Sequence, residues 1–278
     1  MTPFEIGLTS FGGMVLMVYL GFWVPFALMC SSFLGVWAIK GSPILAGKLL
    51  ALAASETISS YFFGVVPLFV LMGYLVSVTG MGSDAFDVAN HLFRRMKGGL
   101  GIGTVGANAI FAAITGISIA SAAVFTRIAV PEMIKHGYTK RFSVGVVAGS
   151  SVLGMLIPPS LLLILYCLLT EQSVGDLFIA GIIPGLLLAI VFATGIFLMA
   201  IFWPNFIGKD IDSDSAKLST IAPSELLAKG MPIFILISMV IGGIYGGFFT
   251  PIEAGAVGCA GAILIGVLRK KLTIKDFW

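Results

Sequence analysis

Hydroxyl side chains cluster around glycine and proline at three places in an otherwise apolar chain. The first is AITGISIASAA (Ala113–Ala123), where Thr115, Ser118 and Ser121 surround Gly116. Hydroxyls and freed backbone carbonyls are hard oxygen donors suited to Na⁺, and glycine permits a tight turn. The bland alternative is a continuous helix whose Ser and Thr bond back to their own turn and whose small residues pack against neighbours. The second is AGSSVLGMLIPPS (Ala148–Ser160), with Ser150, Ser151 and Ser160 around Pro158-Pro159. Pro158 lacks an N–H and Pro159 forces its predecessor out of the α region, so a helix breaks here. The alternative is a simple proline kink that binds nothing. The third is GGIYGGFFTPIEAG (Gly242–Gly255), in which Thr250 precedes Pro251 and Glu253 follows three residues on. That spacing matches a capping box at a helix start. The competing reading is a carboxylate facing a polar cavity, since ionisable groups in a bilayer are expensive.

The composition says what solvent surrounds these places. Hydrophobic residues make up 58% of the 278 residues and charged residues 10%, with a mean hydropathy of +1.08. Soluble domains carry about 25% charged residues. Too few charges remain here to wet a surface, so lipid bilayer must surround most of the chain. Uncharged stretches run Ile6–Ile39, Thr57–Ser83, Gly98–Thr126, Phe142–Thr170, Leu177–Gly208 and Gly230–Ile252. Each exceeds the ~20 residues that cross a bilayer as a helix. Non-helical backbone at that depth survives only where protein or a water-filled cavity surrounds it. Transporters use such breaks, turning half-helix N-termini to anions and unwound carbonyls to cations.

Charge sets the expected sidedness. Arg94, Arg95 and Lys97, then Arg127, Lys135, Lys140 and Arg141, then Lys209, Lys217 and Lys229, then Arg269–Lys271 and Lys275 form basic loops, whereas Glu171–Asp176 has no base. Under the positive-inside rule the basic loops are cytoplasmic and Glu171–Asp176 is external. Gly98–Thr126 has basic flanks on both sides, so it should enter and return with a tip near Ala113–Ser118. Phe142–Thr170 then crosses outward, Leu177–Gly208 returns, and Gly230–Leu268 goes out and back. Ile6–Ile39 reads as one kinked helix or two shorter ones broken near Gly21 and Pro25. Lys40–Ser60 reads as an interfacial helix. Asp84–Lys97 carries a rough helical stripe, and Lys209–Lys229 reads as a solvated loop.

Several functions find no support. The net charge of +3 is spread over loops, with no basic stripe that would bind nucleic acid. Cys30, Cys167 and Cys259 lie singly in apolar stretches and read as buried small hydrophobes. His91 and His136 sit in basic loops as surface residues. HExxH, GxSxG and P-loop patterns are absent, so no enzyme activity and no organic or metal cofactor is expected.

Taken in order, these motifs resemble the large membrane subunit (M, or DctM-like permease) of the tripartite ATP-independent periplasmic (TRAP) transporters. The likeness runs through Val24–Leu28, Pro67–Gly73, Arg95–Leu100, the hairpin tip, PEMIKHGY (Pro131–Tyr138), GSSVLGMLIPPS, LFIAGIIPGLLL (Leu177–Leu188) and GGIYGGFFTPIEAG. The resemblance implies an all-α polytopic membrane protein of about six to eight transmembrane segments with a re-entrant hairpin and broken helices, half of an inverted-repeat, elevator-type transporter. It implies Na⁺-coupled uptake of an organic acid, such as a C4-dicarboxylate, with a small four-helix membrane subunit and a periplasmic substrate-binding protein as partners in a bacterial or archaeal inner membrane. It places Na⁺ ligands at Thr115, Gly116 and Ser118, many of them backbone carbonyls, and a proline break at Ile157–Ser160. It departs from the family at Ala113 (usually Gly), Ser121 (usually Asp), Met155 (often Pro) and Ile252 (often Thr). Family chains also continue beyond Trp278 into a second hairpin, so one half of a site is expected in this chain.

The expected organisation is one transmembrane region over residues 1–278. It comprises N-terminal helices over 1–97 with the interfacial segment 40–60, the hairpin over 98–131, the broken and return helices over 139–208, the polar loop 209–229 and the paired helices 230–268. The competing functions are a binding-protein-independent anion symporter of the same superfamily and a truncated, non-transporting membrane subunit.

Overall fold

The computed structural model describes residues 2–59, 61–208 and 222–272. These residues form helices and no strand; one isolated antiparallel bridge joins Tyr138 to Gly208. Two compact units emerge, Met1–Phe63 and Gly64–Trp278.

The first unit holds α1 (Pro3–Tyr19), α2 (Val24–Lys40) and α3 (Pro43–Ser59). Ile6–Ile39 is therefore two helices, separated at Gly21, whose φ is +90°. Ser31 donates to the Ser10 carbonyl at 2.6 Å and joins α1 to α2. Cys30 is exposed on α2 and not buried as expected. A helix apolar on all faces cannot bury every side, and lipid is an adequate solvent for a thiol.

The second unit begins with α4 (Val65–Val78) and α5 (Met81–Phe93), bent by 68° at a left-handed Gly80. The hairpin arms follow as α6 (Gly99–Thr115) and α7 (Ser118–Lys135). The next span is broken into α8 (Lys140–Ser151), α9 (Leu153–Leu156) and α10 (Leu161–Thr170). It returns as α11 (Val174–Phe202), with a short α12 (Pro204–Ile207) behind it. Last come α13 (Pro223–Tyr245) and α14 (Pro251–Leu268).

Four spans are long and apolar enough to cross a membrane: Lys140–Cys167, Val174–Phe202, Pro223–Tyr245 and Pro251–Leu268. With the bent α4–α5 pair and with α1 and α2 counted as crossings, the number falls in the expected six to eight. The chain is an all-α, multi-pass membrane protein. Of the expected polar loop, residues 209–221 lie outside the described residues, and Pro223–Lys229 is the start of α13 rather than loop.

Close packing uses small residues. Gly255, Gly258 and Gly266 of α14 lie beside Leu68, Met72 and Thr79 in turn, so α14 and α4 run parallel. The same α14 runs antiparallel to α13, with Gly258 beside Val240 and Gly261 beside Leu236. Small interfacial residues let backbones approach where lipid supplies no hydrophobic drive. Charge ties this layer to α5. The Asp84 carboxylate, 7% exposed, pairs with Arg269, which also donates to the Ala228 carbonyl at 2.6 Å. Lys229 reaches Asp87 at 2.8 Å and Glu225 at 3.0 Å.

Candidate functional site

The hairpin turns where the sequence places its tip. α6 ends at Thr115, Gly116 takes a left-handed φ of +64°, Ile117 is extended, and α7 starts at Ser118. The two arms run antiparallel, with Asn108 against Ser121 and Thr104 against Met133, and their outer ends lie near the basic residues Lys97 and Lys135. No side chain caps α7. The tip therefore presents the unsatisfied carbonyl end of one helix beside the unsatisfied N–H end of another.

The proline break makes a second such pair. Pro158-Pro159 is a cis bond; α9 ends at Leu156 with an extended Ile157 as its C-cap, and α10 starts at Leu161 with Ser160 as its N-cap. Ser160 serves both halves: its hydroxyl donates to the Met155 carbonyl at 2.7 Å and accepts from the Leu163 N–H at 3.5 Å. The carbonyls of Ile157, Pro158 and Pro159 accept no hydrogen bond from the described residues.

The two breaks touch. The Leu161 N–H donates to the Gly116 carbonyl at 3.0 Å. A Cβ on Gly116 would stand 2.2 Å from the Pro159 carbonyl oxygen, so only glycine allows both the turn and the approach. Gly154 sits equally close to the start of α7, where a Cβ would meet the Ser118 nitrogen at 2.9 Å. On the far side of the break, Gly181 and Gly185 of α11 face the Leu156 carbonyl and Ile157. Two helix C-ends (α6, α9) and two helix N-ends (α7, α10) thus converge.

The expected residues fall into three groups. Thr115, Gly116, Ser118, Pro158, Pro159 and Ser160 surround this convergence; all are buried except the half-buried Ser118, whose hydroxyl makes no hydrogen bond to the described residues. Thr115 bonds back to the Phe111 carbonyl at 3.0 Å and leaves its lone pairs free. Ser121 and Ser150 lie below the tip and both bond to Asn108. Ser151 bonds to the Ala148 carbonyl at 2.9 Å, within its own helix.

Thr250 and Glu253 form a complete capping box at the exposed start of α14. The Glu253 carboxylate accepts from the Thr250 N–H at 2.7 Å, and the Thr250 hydroxyl accepts from the Glu253 N–H at 3.3 Å. No hydrogen bond or ion pair among the described residues links them to the two breaks.

Asn108, Gly154, Gly181 and Gly185 belong to this region and were missed as site residues in the sequence. A lone amide in an uncharged stretch and glycines four apart were the available signals. Neither histidine takes part. His91 is half-buried on α5, and the His136 Nδ1 lies 2.9 Å from the Glu132 carbonyl.

The oxygens at and next to this contact are all neutral: the Gly116 carbonyl, which Leu161 holds, the Pro159 carbonyl beside it, and the hydroxyls of the adjoining Thr115 and Ser118. Such a set suits a hard monovalent cation. The N–H end of α7, which no side chain caps, suits a carboxylate.

The family model described as Tripartite ATP-independent periplasmic transporter, DctM component, matches residues 11–278. The chain is 36% identical over 213 residues to the C4-dicarboxylate TRAP transporter large permease protein DctM of Pseudomonas aeruginosa, covering 76% of this chain and 48% of that protein. It is 29% identical over 268 residues to the ectoine/5-hydroxyectoine TRAP transporter large permease protein UehC of Ruegeria pomeroyi, covering 94% and 59% respectively. It is 30% identical over 227 residues to the sialic acid TRAP transporter permease protein SiaT of Haemophilus influenzae, covering 80% and 35%. These relatives are transporter permeases by name. The chain spans about half the length of the curated relatives it matches.

Proposed function

The chain belongs to the DctM family of tripartite ATP-independent periplasmic transporters, and from that premise we propose that it supplies one half of the transport site of a sodium-driven organic-acid permease. The observation that carries the proposal is the Leu161 N–H to Gly116 carbonyl bond, at 3.0 Å, which holds the hairpin tip against the proline break. Around it the carbonyl ends of α6 and α9 offer Na⁺ neutral oxygens, together with the hydroxyls of Thr115 and Ser118. The uncapped N–H end of α7 offers a carboxylate the positive end of a helix dipole. Placing both at one convergence couples them: the bound cation favours the anion, and the anion favours the cation.

The acid is a small carboxylate of the kind named for the relatives, C4-dicarboxylates first among them. A tripartite system implies two further components. We assign these as a small four-helix membrane subunit and a periplasmic binding protein that delivers the acid at the outer face of the bacterial cytoplasmic membrane. Ser121, Ser150 and Ser151 stand further from the convergence and support it from below. Thr250 and Glu253 start a helix.

Uptake in proteoliposomes that carry the complete permease with its small subunit and binding protein tests the reading. Accumulation of a labelled C4-dicarboxylate should require an inward Na⁺ gradient. Equal uptake with K⁺ in place of Na⁺ would remove the coupling claim, and failure with every organic acid would remove the substrate class.

A further inference from the structure

Below the hairpin tip, three neutral side chains form a hydrogen-bonded chain whose direction can be worked out. The Ser150 hydroxyl donates to the Val146 carbonyl at 2.6 Å. Its proton is committed there, so toward Asn108 it can only accept, and Asn108 must present Nδ2, 2.7 Å away. The second Nδ2 proton goes to the Thr104 carbonyl at 3.2 Å. Oδ1 is left facing Ser121, whose hydroxyl donates to it. Asn108 and Ser121 are fully buried and Ser150 is 1% exposed. Every amide proton is used, so the amide fits in one orientation only.

We propose that Asn108 is a positioning residue: it locks the start of α7 in register with α6 and α8 and thereby holds Gly116 against Pro159–Leu161, without touching the transported species. It sits about two turns below the tip on α6, and its partner Ser121 lies in the first turn of α7. Among the described residues the only other hydrogen bond between side chains of the two arms is the weak one from Thr104 to the Met133 sulfur at 3.7 Å. The tip has no side-chain cap to fix it from above. In lipid, apolar contact alone sets register weakly, whereas a fully satisfied buried network specifies one arrangement.

Hydrogen exchange tests the clasp without reference to transport, because the Leu161 amide reports the contact between tip and break. Asn108→Leu and Ser121→Ala, in the 278-residue chain in nanodiscs, should each speed exchange over residues 161–163 roughly fivefold, the order of one lost buried hydrogen bond. Exchange within α11 should not change. The double variant should exchange no faster than the faster single, as expected for one unit. Unchanged exchange at 161–163 in both singles, equal acceleration in α11, or additive effects would each overturn the proposal.

A second readout rests on the sodium-coupled reading above. In the complete transporter both variants should raise the Na⁺ half-saturation several-fold, with maximal uptake within about twofold of wild type. Lower maximal uptake at unchanged half-saturation would refute a positioning role. Sodium-independent uptake by the wild type would refute the coupling alone and leave exchange to decide the clasp.

Discussion

Gly116→Ala is the most direct test of the convergence. One methyl group is added where φ is +64° and where its carbon would stand 2.2 Å from the Pro159 carbonyl oxygen. A left-handed conformation costs an L-residue about 1–2 kcal/mol. Relaxed C···O contacts lie near ~3.3 Å, so the carbonyl must retreat by about 1 Å. It belongs to backbone inside a buried proline break and cannot swing aside as a side-chain tip would. Its retreat pulls Leu161 from Gly116 and loses a buried hydrogen bond, a further ~1 kcal/mol. The sum is about 2–3 kcal/mol, at the upper end for a point substitution. Gly145→Ala is the control. It lies on α8 with nothing within 4 Å of the added carbon, so helix propensity should leave it neutral or up to about 1 kcal/mol more stable. Thermal unfolding of both proteins in detergent, with exchange at Leu161, reads the difference. Wild-type stability and wild-type Leu161 protection in Gly116→Ala would refute the geometry argued here.

Arg269→Met should be severe, about 3–5 kcal/mol, because it strands the buried Asp84 carboxylate; adding Asp84→Asn should recover most of the loss in the same unfolding assay. Lys229→Met should cost under about 1 kcal/mol, since its acidic partners keep water around them. Thr250→Ala should lower stability by about 1 kcal/mol through the lost cap, while Glu253→Gln should leave uptake unchanged; loss of uptake with normal expression would restore the carboxylate to the transport path. Gly185→Leu, which drives a side chain into Ile157, should reduce uptake, whereas Gly195→Leu, with open space beside it, should not.

The hairpin was legible because charge and turn chemistry agree. Basic residues on both sides of Gly98–Thr126 disfavour a single crossing, and Gly116 offers a place to turn. The break at Pro158-Pro159 follows from proline alone. The capping box of Thr250 and Glu253 followed from spacing, and the carboxylate is engaged by the helix start it caps. What the sequence could not reveal is that the two breaks meet. Gly116 and Leu161 are joined through space by main-chain atoms, and no residue type encodes a carbonyl's partner. Asn108 was visible as a lone amide, but its partners Ser121 and Ser150 lie 13 and 42 residues further along. The pairing of Asp84 with Arg269 spans 185 residues and joins two basic-end segments that charge counting treats only as sidedness markers. The helical start of α13 was obscured because Pro223–Lys229 follows directly on a stretch rich in Asp, Ser and Thr and was read together with it as one loop.

The bond between Gly116 and Leu161 joins main chain to main chain. Apart from a bare α-carbon at Gly116 and the buried Asn108 clasp below it, it asks nothing of the side chains around it. A frame fastened this way separates architecture from selectivity. The side chains that face the convergence can be exchanged for others that prefer a different cargo, and the two half-helix pairs still close on each other. Engineering a new specificity into this half of the permease should therefore begin with Thr115 and Ser118 and leave Gly116, Gly154, the proline pair and the Asn108–Ser121 clasp alone.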